Sequence, residues 1–257
     1  MKIKDINFSL IRAIFMAVYG HFNITIMGII LSTLRRISNS QLCEFNRVVI
    51  TPFFCLLIVK FIGIKVEIEG LDKVKHKQAI FMYNHSSFMD IFILPLTKLK
   101  NMRYIFTEKA LGILGLRLAN YGNEALLLPS FSEDLNVINQ RDQKFKEFSK
   151  LLKTTNISIL TAPEGQHKFE HKIDTFHDGV FVMATDSQVD IIPVFIRIAK
   201  ENNPFQGYRF KSGTITIEFL EPIKTKDWKI EELEQNKKSV RDVFVKRFNK
   251  AHNTTTV

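Results

Sequence analysis

From Ala13 to Leu34 (AIFMAVYGHFNITIMGIILSTL) the chain carries no formally charged side chain, with Arg12 just before the stretch and Arg35-Arg36 just after it. That length matches the roughly 20 apolar residues a helix needs to cross the hydrocarbon core of a bilayer. A cleaved signal sequence has a shorter apolar stretch and a small-residue cleavage site, and no convincing site of that kind occurs here. A second apolar run, Val48 to Ile64 (VVITPFFCLLIVKFIGI), is interrupted by Pro52 and Lys60 and reads as an interfacial or re-entrant helix. Together the runs predict an N-terminal membrane-associated helical hairpin over residues 1–63, dipping into one leaflet with its basic flanks at the headgroups. Two core helices of a soluble protein would satisfy the same hydropathy, so that alternative stays open.

From Ile64 onward the pattern changes to short β-like runs separated by helical ones, which predicts an α/β domain over residues 64–257. Ile64, Val66 and Ile68 alternate with charges as in a half-exposed strand. The runs 78–83 (QAIFMY), 102–107 (MRYIFT), 125–128 (ALLL) and 157–161 (ISILT) read as buried strands, and 189–196 and 213–220 add two more. Between Glu133 and Thr154 the apolar positions Leu135, Ile138, Phe145, Phe148 and Leu152 keep a helical period. Past Asp227, residues Ile230, Leu233, Val240, Phe244 and Phe248 share one side of a basic C-terminal amphipathic helix.

The net charge of +10 and the 23 phenylalanines point to an anionic, partly apolar partner, and a membrane surface is the simplest one. The basic residues are scattered, without zinc-finger spacing, basic-region heptads or an aromatic RNP-like run, so nucleic acid is not expected as a partner. The two cysteines, Cys43 and Cys55, lack CxxC spacing. They read as small buried hydrophobes in a reducing compartment, not as a disulfide framework.

Chemistry is concentrated where one buried run ends. QAIFMY leads into Asn84-His85-Ser86-Ser87-Phe88-Met89-Asp90. On a continuous helix, residues five apart do not share a face, so His85 and Asp90 meet only if the histidine sits in a turn and the aspartate in the first helical turn or two. A strand followed by a helix capped by Ser86 or Ser87 provides that geometry, and the helix dipole favours a carboxylate there. A carboxylate bonded to one imidazole nitrogen fixes the tautomer and leaves the other nitrogen as a base. A hydroxyl deprotonated by that nitrogen can attack a thioester directly, because a thiol with a pKa of about 8.5 leaves with little acid assistance. A nucleophilic serine or cysteine is then unnecessary, although Ser87 remains an alternative nucleophile.

These residues carry a resemblance to the glycerolipid acyltransferase superfamily, whose members acylate lysophosphatidic acid and glycerol 3-phosphate. The match begins at Asn-His-x-Ser-x-x-Asp, residues 84–90. It continues through Ala162-Pro163-Glu164-Gly165, similar to the family's Pro-Glu-Gly-Thr-Arg block, and Phe176-x-x-Gly179 with Ala184, similar to its Phe-Lys-x-Gly element. It closes on Ile191-Ile192-Pro193-Val194, like the final hydrophobic-proline block. Four blocks in this order make chance similarity improbable. The resemblance implies a glycerol-3-phosphate acyltransferase-like fold, a mixed sheet flanked by helices. It implies His85 and Asp90 as the catalytic pair, and an acceptor site around Glu164, Gly165, Gln166, His167 and Lys168. It also implies an acyl-CoA or acyl carrier protein co-substrate with no resident cofactor or metal, and work at the cytoplasmic face of a membrane, the inner membrane in a bacterium.

Two departures bear on the acceptor. Gln166-His167 replaces the family's Thr-Arg, and the stretch Glu124 to Ser130 (EALLLPS) offers Pro129-Ser130 where the family carries an arginine. Arginine suits bidentate phosphate binding, which neither serine nor neutral histidine reproduces. Lys168, Arg117 and Lys109 are candidate substitutes, and the alternative acceptor is a lysolipid without a phosphomonoester, such as a lyso-amino-acid lipid.

Two rival readings follow from other features. His167-Lys168-Phe169-Glu170-His171 matches HxxEH, the inverted zinc-peptidase pattern, with His167, Glu170 and His171 as the set. Its flanks, however, lack the apolar face that would hold a helix against a core. A non-enzymatic lipid-binding scaffold would use the basic, Phe-rich surface alone and leave His85 and Asp90 incidental.

Overall fold

The computed structural model describes residues 3–37, 40–74, 77–85, 87, 89–165, 172–203 and 211–253. Among these, the charge-free stretch lies within one long helix, α1 (Ile3–Ile37), of which Ala17–Ile37 is long and apolar enough to cross a membrane. The second arm begins with α2 (Ser40–Phe45) and continues through a π-helical turn, Asn46–Ile50, into α3 (Thr51–Phe61). Pro52 therefore does not end the arm. It lacks an N–H and its ring crowds the preceding turn, and the backbone accommodates it by widening, with Thr51 N–H bonding the Asn46 carbonyl. The arms run antiparallel, with the Phe61 ring stacked on Tyr19 at 4.0 Å.

Seven strands form one sheet in the order β1-β7-β6-β2-β5-β3-β4. They are β1 (Ile64–Glu69), β2 (Ile80–Tyr83), β3 (Met102–Thr107), β4 (Leu126–Leu128), β5 (Ser158–Thr161), β6 (Ile191–Ile198) and β7 (Gly213–Phe219). β6, β2, β5, β3 and β4 are mutually parallel, whereas β7 pairs antiparallel with β6 and carries β1 parallel to itself. The mixed sheet flanked by helices is the expected class. Pro193 is tolerated inside β6 because the β6–β7 ladder stops at Val194–Phe219, so its missing N–H falls where pairing already ends.

Strand alternation sorts the core to the two faces of the sheet. Phe81, Ile192 and Val194 pack with Ile58 and Val59 of α3, with Ile62 just past its end, and with Phe92 and Ile93 of α4 (Asp90–Ile93). Ile80, Met82 and Ile159 pack against α6 (Leu135–Thr154), α7 (Asp178–Ser187) and α8 (Leu233–Asn253). Residues from the 1–63 region therefore share a core cluster with the sheet. α1 crosses α5 (Leu114–Gly122) at near backbone contact: a Cβ on Gly28 would meet the Gly115 carbonyl at 2.6 Å. Cys43 and Cys55 are free and buried.

A charge cluster ties this helical region to the sheet. The Glu124 carboxylate, just before β4, pairs with Arg47 at 2.9 Å, with Arg103 of β3 at 2.5 Å and with Arg35 of α1. Although burial by itself pushes the Glu124 carboxyl up, Arg103, Arg47 and Arg35 outweigh it and hold the group below the ordinary carboxylate value.

Candidate active site

Parallel strands end together along one edge of a sheet, and ligands in such folds bind beyond the carboxyl ends where the strand order reverses. Here the reversal falls at β2, whose chain successor β3 lies beyond β5 on one side while β6 lies on the other. At that end the β2 backbone leaves the ladder after Tyr83–Val194. The Asn84 side chain continues the pairing in its place, accepting the Ile196 N–H at 2.7 Å and donating to the Ile196 carbonyl at 2.9 Å. The chain is thereby released into a turn that points His85 outward.

α4 begins at Asp90 itself, and the turn brings His85 Nδ1 to 2.7 Å from Asp90 Oδ2. The carboxylate is fully buried while the imidazole keeps 21% of its side-chain surface open. The serine expected to cap this helix acts just ahead of it, since α4 itself has Met89 before it and no side-chain cap bond there. The Ser87 hydroxyl accepts the Met89 N–H at 3.1 Å and donates to Asn203 Oδ1 at 2.8 Å, deep in the protein. Those bonds commit the hydroxyl to fixing the turn. Ser86 lies outside the described residues.

Glu164 comes from the turn after β5. Its Oε1 accepts the His85 N–H and its Oε2 the Asp174 N–H, both at 3.0 Å. Burial pushes this carboxyl up, opposed by the two backbone bonds. Gly165 follows with φ +68°, a left-handed conformation that disfavours side chains. A Cβ there would also press on the Phe131 ring at 2.6 Å. Gln166, His167 and Lys168 of the expected acceptor site, and His167, Glu170 and His171 of the HxxEH pattern, lie outside the described residues.

A cavity of about 190 Å³ opens beside His85 at the ends of β2, β3, β4 and β5. Ile105, Phe106, Leu116, Leu128, Phe145 and Val180 make most of it apolar. The Phe176–Gly179–Ala184 block shapes it from behind: a Cβ on Gly179 would strike the Phe145 ring at 2.2 Å, so glycine lets α7 close on α6. Sequence reasoning missed the cavity residues Phe131 and Arg141, the Asn84 clamp and the Ser87–Asn203 bond. Only Asn84 carried a local signal, its place in the first block.

A doubly wound α/β domain with a histidine–carboxylate pair at its strand ends, open to an apolar cavity, defines a protein able to do general-base chemistry on a partly apolar substrate. The Acyltransferase family profile matches residues 65–197, and the chain belongs to that family. It is similar to the 1-acyl-sn-glycerol-3-phosphate acyltransferase of Limnanthes alba, 24% identical across 74% of this chain and 66% of that protein. The Saccharomyces cerevisiae protein of the same name is 24% identical across 72% of this chain and 60% of its own length, so the chain spans about two thirds or less of these relatives. The crystal structure of a 1-acyl-sn-glycerophosphate acyltransferase from Thermotoga maritima shares the fold, with a TM-score of 0.74 at 19% identity over 95% of this chain and 98% of that one.

Proposed function

We propose that this chain is a lysolipid O-acyltransferase that moves a fatty acyl group from an acyl thioester onto the free hydroxyl of a 1-acylglycerol 3-phosphate-type acceptor. The observation that carries the reading is the 2.7 Å contact between His85 Nδ1 and a fully buried Asp90 carboxylate, beside an apolar cavity. Asp90 holds the Nδ1 proton, so Nε2 is the base. In the reaction the acceptor hydroxyl gives its proton to Nε2 as its oxygen bonds the thioester carbonyl carbon. The tetrahedral intermediate then breaks its C–S bond, and the imidazolium returns the proton to the departing thiolate. No covalent acyl-enzyme is needed, in keeping with a Ser87 hydroxyl already bonded to Asn203.

Membrane docking through the N-terminal helices, with the catalytic region on the cytoplasmic side, belongs to the same reading. Phe15, Val18 and Phe22 of α1 and Phe53 and Leu56 of α3 are exposed apolar side chains on neighbouring helices. The donor is acyl-CoA or an acyl carrier protein thioester. Thiol release from a fixed acyl thioester, measured against a panel of lysolipids in mixed micelles, tests the whole reading. Release that depends on a lysolipid and vanishes in His85→Ala is expected; no stimulation by any lysolipid would overturn it.

A further inference from the structure

Arg141, on α6, is set into the wall of the cavity that His85 faces, although none of the four motif blocks contains it. Its guanidinium lies over the Phe131 ring, 3.9 Å from the centroid, and donates to the Pro129 carbonyl. Of its five N–H donors, only the one to Pro129 has a hydrogen-bond partner among the described residues, and no carboxylate there forms an ion pair with it. Burial pulls its pKa down, with the neighbouring Asp142 acting in opposition. A guanidinium half-withdrawn from water with donors unspent is costly unless an anion completes the site.

Its aim is set by a chain of contacts back to the dyad. Phe131, which carries Arg141 on its face, packs against His177 with ring centroids 4.7 Å apart and closes on Gly165. Gly165 ends the turn whose Glu164 holds the His85 backbone. The guanidinium and the imidazole therefore line one small cavity, joined through Phe131, Gly165 and Glu164. Two arginines of the family pattern are replaced in this chain, by Ser130 and by Gln166-His167. Pro129, immediately before the first of those positions, is the residue Arg141 bonds.

We propose that Arg141 determines acceptor specificity: entering from α6, its guanidinium takes the phosphomonoester of the lysolipid in place of the motif arginines, while the lysolipid hydroxyl reaches His85. The proposal rests on the acyl-transfer reading. A bidentate guanidinium–phosphate contact holds the acceptor in one orientation, which an ammonium does not reproduce.

The test is steady-state thiol release by the full chain in mixed micelles, with 1-acylglycerol 3-phosphate and the acyl thioester varied in turn, for wild type, Arg141→Gln and Arg141→Lys. Expected are a rise of about 10–100-fold in KM for the phosphorylated acceptor in Arg141→Gln, with kcat, donor KM and melting temperature near wild type. Arg141→Lys should recover only part of that loss. An unchanged acceptor KM would overturn the proposal, as would a rise in donor KM alone, which would assign the guanidinium to the donor. A joint fall of kcat and melting temperature would also overturn it, by reducing Arg141 to a support for Phe131. Wild type that acylates other lysolipids but not the phosphorylated one refutes the Arg141 role alone, whereas wild type inert towards every lysolipid refutes the acyl-transfer reading beneath it.

Discussion

The Glu164 carboxylate accepts the backbone N–H of His85 at 3.0 Å, so the turn after β5 holds the turn after β2. Its other oxygen accepts Asp174 N–H, and both contacts demand an acceptor. Glutamine offers one oxygen and must leave one of the two backbone donors facing its NH2 group. An unsatisfied buried donor costs about 1–3 kcal/mol. Glu164→Gln is expected to lower kcat by about 10–100-fold on every acceptor with acceptor KM little changed. A rise confined to acceptor KM would instead make Glu164 an acceptor ligand, the role its motif implies.

Removing the base should be close to total loss. His85→Ala is expected to lower thiol release by about 10³-fold or more, within the range assigned to general base catalysis. Asp90→Asn should cost at least about 10²-fold, because the amide no longer stabilises the imidazolium that forms during transfer. Membrane association should be intact in both, since the exposed apolar side chains of α1 and α3 do not include the dyad. Vesicle co-sedimentation alongside the kinetics checks the pair, and near-normal turnover in purified His85→Ala protein would refute the assignment.

Asn84 replaces a strand's backbone with a side chain, and its loss should be felt in stability and rate together. Asn84→Ala leaves the buried Ile196 N–H and carbonyl without their partners. A destabilisation of about 2–3 kcal/mol is expected from that exposure of buried polar groups. Because the same bonds set the turn carrying His85, kcat should fall as well. Denaturant melts and thiol release on one preparation would separate this from a substitution that merely loosens the core.

The pH dependence of Glu124 has a definite sign. Its folded-state pKa lies below the unfolded value, so its stabilising contribution is fully present above the unfolded carboxylate pKa, about 4.3, and is lost as the pH falls through the folded value. Glu124→Gln should therefore cost about 2 kcal/mol near neutral pH. That is less than the about 3–5 of a fully buried pair, since 22% of the Glu124 side chain still meets solvent. The gap between mutant and wild type should close below about pH 4. A stability difference that stays constant across that range would show that the ion pairs contribute nothing.

The strand positions were legible because a strand's own residues write them. Apolar runs such as IFMY and SILT are buried on both faces, and Ile64, Val66 and Ile68 alternate with charges because one face of β1 packs on the core while the other meets solvent. The helix expected from Glu133 begins at Leu135, with Asp134 as the cap its type favours. The meeting of His85 and Asp90 was equally readable, since a spacing of five rules out a continuous helix and leaves a turn.

The π-helical turn was not readable, because Pro52 alone does not say whether a helix breaks or widens. Ser87 accepts the Met89 N–H as a local cap would, but nothing near it in the chain announces Asn203, 116 residues away, as the acceptor of its hydroxyl.

By itself the sequence determined where the strand runs lie, the apolar faces of α6 and of the C-terminal helix, and that an imidazole and a carboxylate five apart can meet only across a turn, since all of this depends on neighbours a few residues apart. The tertiary structure alone decided that Ile196 receives the amide of Asn84, that three arginines converge on Glu124, and that Arg141 lines the same cavity as His85. Those contacts join residues on different strands and helices, and no local period records the order in which a sheet assembles its strands.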